Sequence, residues 1–159
     1  MAREPDSPDR LIAQNRRASH DYFILDTVEA GLVLAGTEVK SLRHGKASLA
    51  EAYATVENGE AWVLQLHIPP YEQGNRSNLE PTRRRKLLLH RTEITKLEKA
   101  VSQKGQTIIP LKLYFSRGYA KLLLGVGKGK KTHDKRQTIA ERDARREIQR
   151  AHRTGERGG

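Results

Sequence analysis

Lysine and arginine are the residues of this chain whose type and grouping point most directly to a chemistry. They are concentrated in three clusters, Asn15–Arg17, Arg83–Lys86 and Lys128–Arg136. Each cluster lies at the edge of a predicted strand, where cationic groups can reach phosphate oxygens. The 159 residues include 30 Lys or Arg and 19 Asp or Glu, which gives a net charge of +11 at pH 7. A polyanion, above all a nucleic acid, is therefore the first partner to consider.

The sequence offers no group of residues suited to catalysis. None of the six histidines has the His-x-x-x-His spacing of a metal site, and without Cys there is no thiol nucleophile. Gly125–Thr132 is similar to a P-loop, but three residues instead of four separate Gly125 from Gly129, and Lys131 replaces the Ser or Thr. No nucleophile–base pair can be nominated. We predict a protein that is not an enzyme and needs no metal or cofactor.

Composition also bears on where the protein works. The chain has no Cys, as is usual in a reducing cytosol, and no apolar run approaches the roughly 18 residues of a membrane span. Met1–Asn15 has no signal-peptide pattern. We therefore expect a soluble cytoplasmic protein.

The elements that must position the basic clusters begin with two strands and a helix. Asp21–Val28 is rich in β-forming residues and predicts a strand, Glu29–Gly31 predicts a turn, and Leu32–Leu34 predicts a second short strand. Thr37 then fits the N-cap of a helix, and Gly45 fits the position just after the helix end.

A β-hairpin is the clearest local prediction. Asn58-Gly59, a pair that tolerates positive φ at both central positions, connects Leu49–Glu57 to Glu60–Ile68. Alternation on the second strand predicts one face formed by Trp62, Leu64, Leu66 and Ile68.

A strand, a helix and a second hairpin complete the predicted domain. Leu87–His90 predicts the strand, Thr92 the start of the helix and Gly105 its end, while Arg117-Gly118 predicts the hairpin turn. Pro110 cannot donate to a ladder and indicates a sheet edge or a bulge. The predicted inward side chains of this hairpin are Ile109, Leu111, Leu113, Phe115, Leu122, Leu124 and Val126.

These elements predict a mainly β domain. About six to eight antiparallel strands with apolar inner faces suit a small closed or partly closed barrel with two or three peripheral helices. A sandwich is the alternative that this pattern leaves open. We predict a disordered leader at residues 1–14, the barrel at 15–127 and a basic tail at 128–159.

The tail differs from the body in composition. It contains eleven Lys or Arg against five Asp or Glu, and Thr138–Glu141 has the pattern of a capping box. On a helix its arginines cluster on one side, opposite a narrow stripe of Ala and Ile. Since that stripe buries little area, we expect a tail that is disordered when free and helical when laid against phosphates.

Five blocks of the sequence resemble the SmpB family of SsrA-binding proteins, found in bacteria. The blocks are His20-Asp21-Tyr22, Glu29-Ala30-Gly31, Gly36–Arg43, Arg85–His90 and Gly129–Arg136, which occur in the family order. The chain departs from the family pattern at Ala140 and at Asn78–Glu80. The resemblance implies an OB-like antiparallel β-barrel.

The resemblance also implies a function. The protein would bind the tRNA-like domain of transfer-messenger RNA and accompany it to the A site of stalled ribosomes in trans-translation. The tail would occupy the vacant mRNA channel, against 16S rRNA near the decoding centre. Elongation factor Tu and alanyl-tRNA synthetase would be indirect partners through the RNA, and the protein would act as a monomer. The alternative is a generic OB-type ribosome- or rRNA-binding protein without specificity for transfer-messenger RNA.

Site residues follow from the resemblance and from the basic clusters. In the body, the family positions implied to contact transfer-messenger RNA are Glu29, Leu88, His90 and Lys121. The basic clusters add Arg16, Arg17, Arg83, Arg84, Arg85 and Lys86. In the tail, the residues expected at the decoding centre are Lys128, Lys130, Lys131, His133, Asp134, Lys135, Arg136, Arg142, Arg145 and Arg146. Among these, His133 would stack on an rRNA base and Asp134 would orient neighbouring basic groups.

Overall fold

Antiparallel strands make up most of the protein. A computed structural model describes residues 10–71, 79–130, 140, 142–146 and 148. Within residues 10–71 and 79–130 there are seven strands and three helices. The strands are β1 Arg10–Gln14, β2 Tyr22–Leu32, β3 Tyr53–Glu57, β4 Glu60–Leu64, β5 Arg85–Leu88, β6 Gln106–Ser116 and β7 Tyr119–Gly129. The helices are α1 Ala18–Asp21, α2 Gly36–Arg43 and α3 Arg91–Val101.

The sheet closes on itself. Its strand order is β1-β6-β3-β4-β5-β2-β7, and β6 also pairs with β7, so β2 to β7 form a ring. β1 pairs with the same edge of β6 that β3 meets at Ile108. Every pairing is antiparallel. The predicted barrel is therefore confirmed, and the sandwich alternative is wrong.

Apolar side chains from every strand of the ring fill the barrel. Leu42 of α2 and Leu97 of α3 belong to the same buried cluster, so both helices pack onto it. Leu122 and Leu124 of β7 are fully buried, and Val126 is nearly so, which confirms the predicted inner face of that strand. Burying each such side chain contributes about 1.5–3 kcal/mol.

β2 is longer than the sequence predicted. Glu29–Gly31 does not form a turn, because these residues pair with Leu123, Leu122 and Lys121 in an unbroken ladder with β7. The main-chain pairing outweighs the turn preference of Gly31. The irregularity in β2 lies instead between Ile24 and Asp26, where the register shifts.

The inner face of β4 also differs from the prediction. Ala61 and Val63 are buried, whereas Trp62 is half-buried. Just beyond the strand, Gln65 has a φ of 58°, which interrupts the alternation. Further along the chain, Leu66 and Ile68 are buried as predicted. Gln65, which lies in the left-handed region, therefore reverses the alternation. Odd-numbered residues point inward before it, and even-numbered residues point inward after it.

A bulge explains the pattern in β6. The register shifts between Pro110 and Lys112, as Pro110 predicted. Ile108 and Leu113 are the inward, fully buried residues on either side of the shift. The predicted inward positions of Ile109 and Leu111 are wrong. Their side chains instead lie over two glycines of β7 on the outer face, Gly127 and Gly125 respectively.

Both hairpin turns have the predicted geometry. Asn58 and Gly59 have φ of 52° and 74°, and Arg117 and Gly118 have φ of 53° and 82°. Gly45, with φ of 74°, follows α2 as expected, and its N–H donates to the carbonyl of Leu42.

The two long helices start earlier than predicted. α2 begins after Ala35 rather than at Thr37, because the Glu38 side chain accepts the Ala35 N–H at 2.9 Å. α3 begins after His90 rather than at Thr92, because Glu93 accepts the His90 N–H at 3.0 Å. An acidic residue in the first turn fixes each start.

The barrel extends beyond both predicted boundaries. β1 occupies Arg10–Gln14, which the sequence assigned to a disordered leader, because it pairs with the edge of β6. At the other end β7 continues to Gly129, and the Lys130 N–H donates to the Asp21 carbonyl at 2.9 Å. The main-chain pairing of the barrel therefore continues past the predicted boundary at residue 127, as far as Lys130.

Part of the tail is also described. Residues 140, 142–146 and 148 have helical backbone and are exposed. Formation of this helix on binding, from a disordered free tail, stays a prediction.

Removing one fully buried side chain tests the assigned core. We expect Leu122→Ala to lower the free energy of unfolding by about 2–5 kcal/mol, because it leaves a cavity at the centre of the ring. Urea unfolding measures this change. The control Leu11→Ala, on a half-exposed residue of β1, should cost far less. Equal effects would contradict the assigned inner face.

Candidate nucleic-acid interface

A row of residues crosses three adjacent strands on the outside of the barrel. Gly31 of β2 pairs with Leu88 of β5 on one side and with Lys121 of β7 on the other. Leu88 is 57% exposed, although its neighbour Leu87 is buried. Leu88 is therefore not part of the core, and its side chain lies on the outer surface between a glycine and charged residues.

Gly31 forms the floor of this row. A Cβ built at Gly31 would lie 3.2 Å from the Cβ of Leu88. The Leu88 side chain therefore leans over the bare backbone of Gly31 on the outer face. Any larger residue at position 31 would have to displace Leu88, so the glycine keeps the surface flat.

Glu29 lies on the same face, two residues before Gly31. It pairs with Leu123 of β7, and its carboxylate accepts a hydrogen bond from the hydroxyl of Tyr114 in β6. Tyr114 itself pairs with Lys121. The structure thus brings Glu29, Leu88 and Lys121 onto one surface, as expected of a common binding face.

His90 lies at the border of this surface. It is exposed, two residues after Leu88, at the start of α3. It also lines a cleft of about 500 Å³ between α3 and β2. Across this cleft Lys96 forms an ion pair with Asp26 at 2.5 Å, and its hydrogen bond is the main cause that lowers the pKa of Asp26. His90 is thus placed between the Leu88 row and a cleft lined by both polar and apolar side chains.

Arg85 was predicted to contact RNA, but the structure places it in the interior. Its side chain is fully buried, and its Nε donates to Glu38 at 2.6 Å. The rest of its guanidinium donates to main-chain carbonyls of Leu66, Pro81 and Arg83 at 2.5, 2.9 and 3.2 Å. Arg85 therefore stabilises the fold and does not present its charge to a ligand.

Arg83 completes the buried charge network. It binds Glu38 through two hydrogen bonds, from Nε at 3.2 Å and from a terminal nitrogen at 2.5 Å. Burial favours a higher pKa for Glu38, but the hydrogen bonds from Arg83, from the Ala35 N–H and from Arg85 outweigh it and lower the pKa. Glu38 is therefore ionised and tied to two arginines.

Arg84 and Lys86 lie on the outer surface. Arg84 stacks over the Trp62 ring at 3.9 Å and forms an ion pair with Glu57 at 2.8 Å. Lys86 forms a weaker pair with Glu60 at 3.3 Å. Because side chains alternate along β5, Lys86 shares its face with Leu88. These cations extend the Leu88 row toward Trp62.

Arg16 and Arg17 lie apart from the Leu88 row. Both are exposed in the connection between β1 and α1, which is held to β6 by the Asn15 N–H donating to Leu111 at 2.8 Å. They form a separate basic site at the edge of the barrel.

The start of the tail is anchored on the body. Lys128 is exposed at the end of β7. Lys130 donates to the Ser19 carbonyl at 2.8 Å, and its ammonium lies 4.8 Å from the centre of the Phe23 ring. The helical residues Arg142, Arg145 and Arg146 are exposed. The other predicted tail residues, Lys131, His133, Asp134, Lys135 and Arg136, lie outside the described residues.

In the described part of the chain, no three His, Cys, Asp or Glu residues are grouped so that they could hold a metal ion. No helix among the same residues is long and apolar enough to cross a membrane.

Sequence reasoning missed two residues that organise this region, Glu38 and Tyr114. Glu38 lies in the Gly36–Arg43 block, but no role was predicted for it. The available signal was that it is an acidic residue in the first turn of a predicted helix. For Tyr114, the available signal was its position between Leu113 and Phe115. Both were predicted to point inward, so alternation along the strand turns Tyr114 outward. The bond from Tyr114 to Glu29 could not be read from the sequence, because it crosses β7.

The geometry defines a class of protein before any comparison is made. It is a small closed β-barrel whose outer face combines an exposed Leu, a flat glycine floor and several cations. Such a face suits a folded nucleic acid, which offers phosphates together with accessible base edges or hydroxyls.

Comparison with known proteins then gives the family. A family model described as "SmpB protein" matches residues 12–154. The SsrA-binding protein of Desulfitobacterium hafniense (strain DSM 10664 / DCB-2) is 59% identical over 141 residues, which cover 89% of this chain and 90% of that protein. The SsrA-binding protein of Anoxybacillus flavithermus is 57% identical over 149 residues, covering 94% and 97%.

A solved structure agrees with these relatives. A chain of "tmRNA-SmpB: a journey to the center of the bacterial ribosome" is similar, with a TM-score of 0.65 and 55% sequence identity, covering 76% of this chain and 85% of that one. The protein belongs to the SmpB family, as the sequence blocks predicted.

Acidification tests the buried network. Because the pKa of Glu38 is lowered in the folded state, its contribution to stability is complete above the unfolded pKa and is lost as pH falls through the folded pKa. We expect the free energy of unfolding to fall as the pH drops below about 4. In Glu38→Gln this part of the pH dependence should disappear.

At neutral pH Glu38→Gln should itself cost about 3–5 kcal/mol, since it leaves the buried Arg85 without a counter-charge. Glu57→Gln is the matched control, because its exposed pair with Arg84 contributes at most about 1 kcal/mol. Chemical unfolding at several pH values measures both variants. A Glu38→Gln protein as stable as the control would refute the network's structural role.

Proposed function

We propose that this protein binds the tRNA-like domain of transfer-messenger RNA and accompanies it to the A site of stalled ribosomes in trans-translation. The observation that carries the proposal is the outer face on which exposed Leu88 lies beside Lys121 and Glu29, in a chain of the SmpB family.

The chemistry of this face suits a folded RNA. Lys121 supplies a charge for a phosphate, and Leu88 offers an apolar surface for an unstacked base or a ribose. The Glu29 carboxylate can accept a hydrogen bond from a base amino group or a 2′-hydroxyl, which phosphate contacts alone do not provide. The face therefore combines general attraction with a means of distinguishing one RNA from another.

The tail has a separate role in this proposal. Lys128 lies in β7 and Lys130 directly after it, and exposed arginines follow in helical residues 142–146. We place His133 and its basic neighbours against 16S rRNA near the decoding centre, with the tail in the vacant mRNA channel. The protein works as a monomer in the cytoplasm, and elongation factor Tu and alanyl-tRNA synthetase act on the bound RNA.

Competition binding tests the RNA specificity. With the full chain at fixed salt, we expect transfer-messenger RNA to resist displacement by an excess of bulk tRNA. Lys121→Ala should weaken binding roughly threefold to tenfold and reduce the slope of log Kd against log salt by about one, because one phosphate contact is lost. Fluorescence anisotropy at several salt concentrations gives both quantities.

The control is Lys104→Ala, which removes an exposed lysine from the turn between α3 and β6. It should leave the affinity nearly unchanged. If bulk tRNA competed equally with transfer-messenger RNA, the protein would be a generic ribosome- or rRNA-binding barrel instead.

Truncation tests the division between body and tail. A chain ending at Lys130 keeps β7 intact, including the Lys130 N–H bond to Asp21, so its affinity for transfer-messenger RNA should stay near normal. Peptide tagging on stalled ribosomes should be abolished in a reconstituted translation assay. Loss of RNA binding together with tagging would show that the tail and barrel do not act separately.

A further inference from the structure

Tyr114 is the residue outside the predicted site that is most closely built into it. It lies on β6 between the inward residues Leu113 and Phe115, so its side chain points to the outer face. It is nevertheless only 3% exposed. Its hydroxyl donates a hydrogen bond to the carboxylate of Glu29.

This bond passes diagonally over β7. Tyr114 pairs with Lys121 of β7, and Glu29 pairs with Leu123 of the same strand. The side chains of Lys121 and Leu123 point outward on either side of the buried Leu122. The contact between Tyr114 and Glu29 therefore crosses next to Lys121, at the centre of the proposed binding face.

A hydrogen bond from a buried tyrosine can fix the orientation of the Glu29 carboxylate. Glutamate has three rotatable side-chain bonds, and fixing them on binding would cost conformational entropy. A bond from a buried, rigid phenol fixes the carboxylate before the ligand arrives, which lowers that cost. Because the phenol is neutral, the carboxylate also keeps its charge, which a bond from arginine would offset.

We propose that Tyr114 is a positioning residue of the RNA-binding face, which holds the Glu29 carboxylate in the orientation that the RNA requires. This inference rests on the proposed function. It assigns to Tyr114 an effect on RNA affinity that acts entirely through Glu29, without contact between Tyr114 and the RNA.

A double-mutant cycle tests the inference. With the full chain and transfer-messenger RNA, we expect Tyr114→Phe to weaken binding about threefold to tenfold, in the range of one lost hydrogen bond. In a Glu29→Ala background the same change should have little further effect, because its target is gone. The salt slope should stay as in the wild type, since no cation is removed. Tyr119→Phe is the control, on a residue that is 72% exposed at the start of β7.

A second variant leaves the packing of Tyr114 intact. Glu29→Asp keeps the charge but shortens the side chain, which withdraws the carboxylate from the Tyr114 hydroxyl. It should weaken binding about as much as Tyr114→Phe, and thermal unfolding confirms that each variant is folded at the assay temperature.

The outcomes separate this inference from the proposed function. Wild-type affinity in Tyr114→Phe or in Glu29→Asp, or equal losses from Tyr114→Phe in both backgrounds, would overturn the positioning role and leave RNA binding standing. A wild-type protein that did not prefer transfer-messenger RNA over bulk tRNA would overturn the proposed function first.

Discussion

The buried ion pair between Glu38 and Arg85 connects parts of the chain that are far apart in sequence. Arg85 is fully buried, and it binds the Glu38 carboxylate of α2 together with carbonyls at Leu66 and Pro81. Burying such a charge without partners would cost several kcal/mol, so the fold must satisfy its donors. With Arg85 inside, alternation along β5 turns Leu87 inward and Leu88 outward. The exposure of Leu88, in the proposed binding face, thus depends on the buried pair of Arg85 and Glu38.

Closure of the barrel positions Glu29 and Lys121, the other residues of the proposed binding face. β7 pairs along most of its length with both β2 and β6, so the residues of three strands lie in fixed order on the outer surface. Gly125 and Gly127 of β7 lie under Leu111 and Ile109, and a Cβ at either glycine would come within 3.0 Å of those side chains. The outer face therefore has a covered apolar end and a polar end, and Glu29 and Lys121 are at the polar end.

Local residue preferences made some features of the fold predictable from the sequence, but other features had no local signal. The Asn58-Gly59 and Arg117-Gly118 turns followed from residues that accept positive φ, and the bulge followed from the missing N–H of Pro110. The positive φ of Gln65 had no such signal, so the inner face of β4 was assigned wrongly. Glu29–Gly31 was predicted to be a turn because glycine favours turns. The residues of β7 that pair with this segment and make it a strand are distant in sequence. Arg85 was grouped with its exposed neighbours because a charge count does not show which side chain is inside.

The sequence by itself determined the family, the mainly β class, the two tight hairpins and the basic character of the surface. These properties depend on residue types and on spacing along the chain, which the sequence displays directly. Tertiary structure alone decided that Arg85 is buried against Glu38, that β1 and Lys130 belong to the barrel, and that Tyr114 reaches Glu29 across β7. Each of these depends on pairing between strands or helices distant in sequence, and that pairing is set by the closure of the whole sheet.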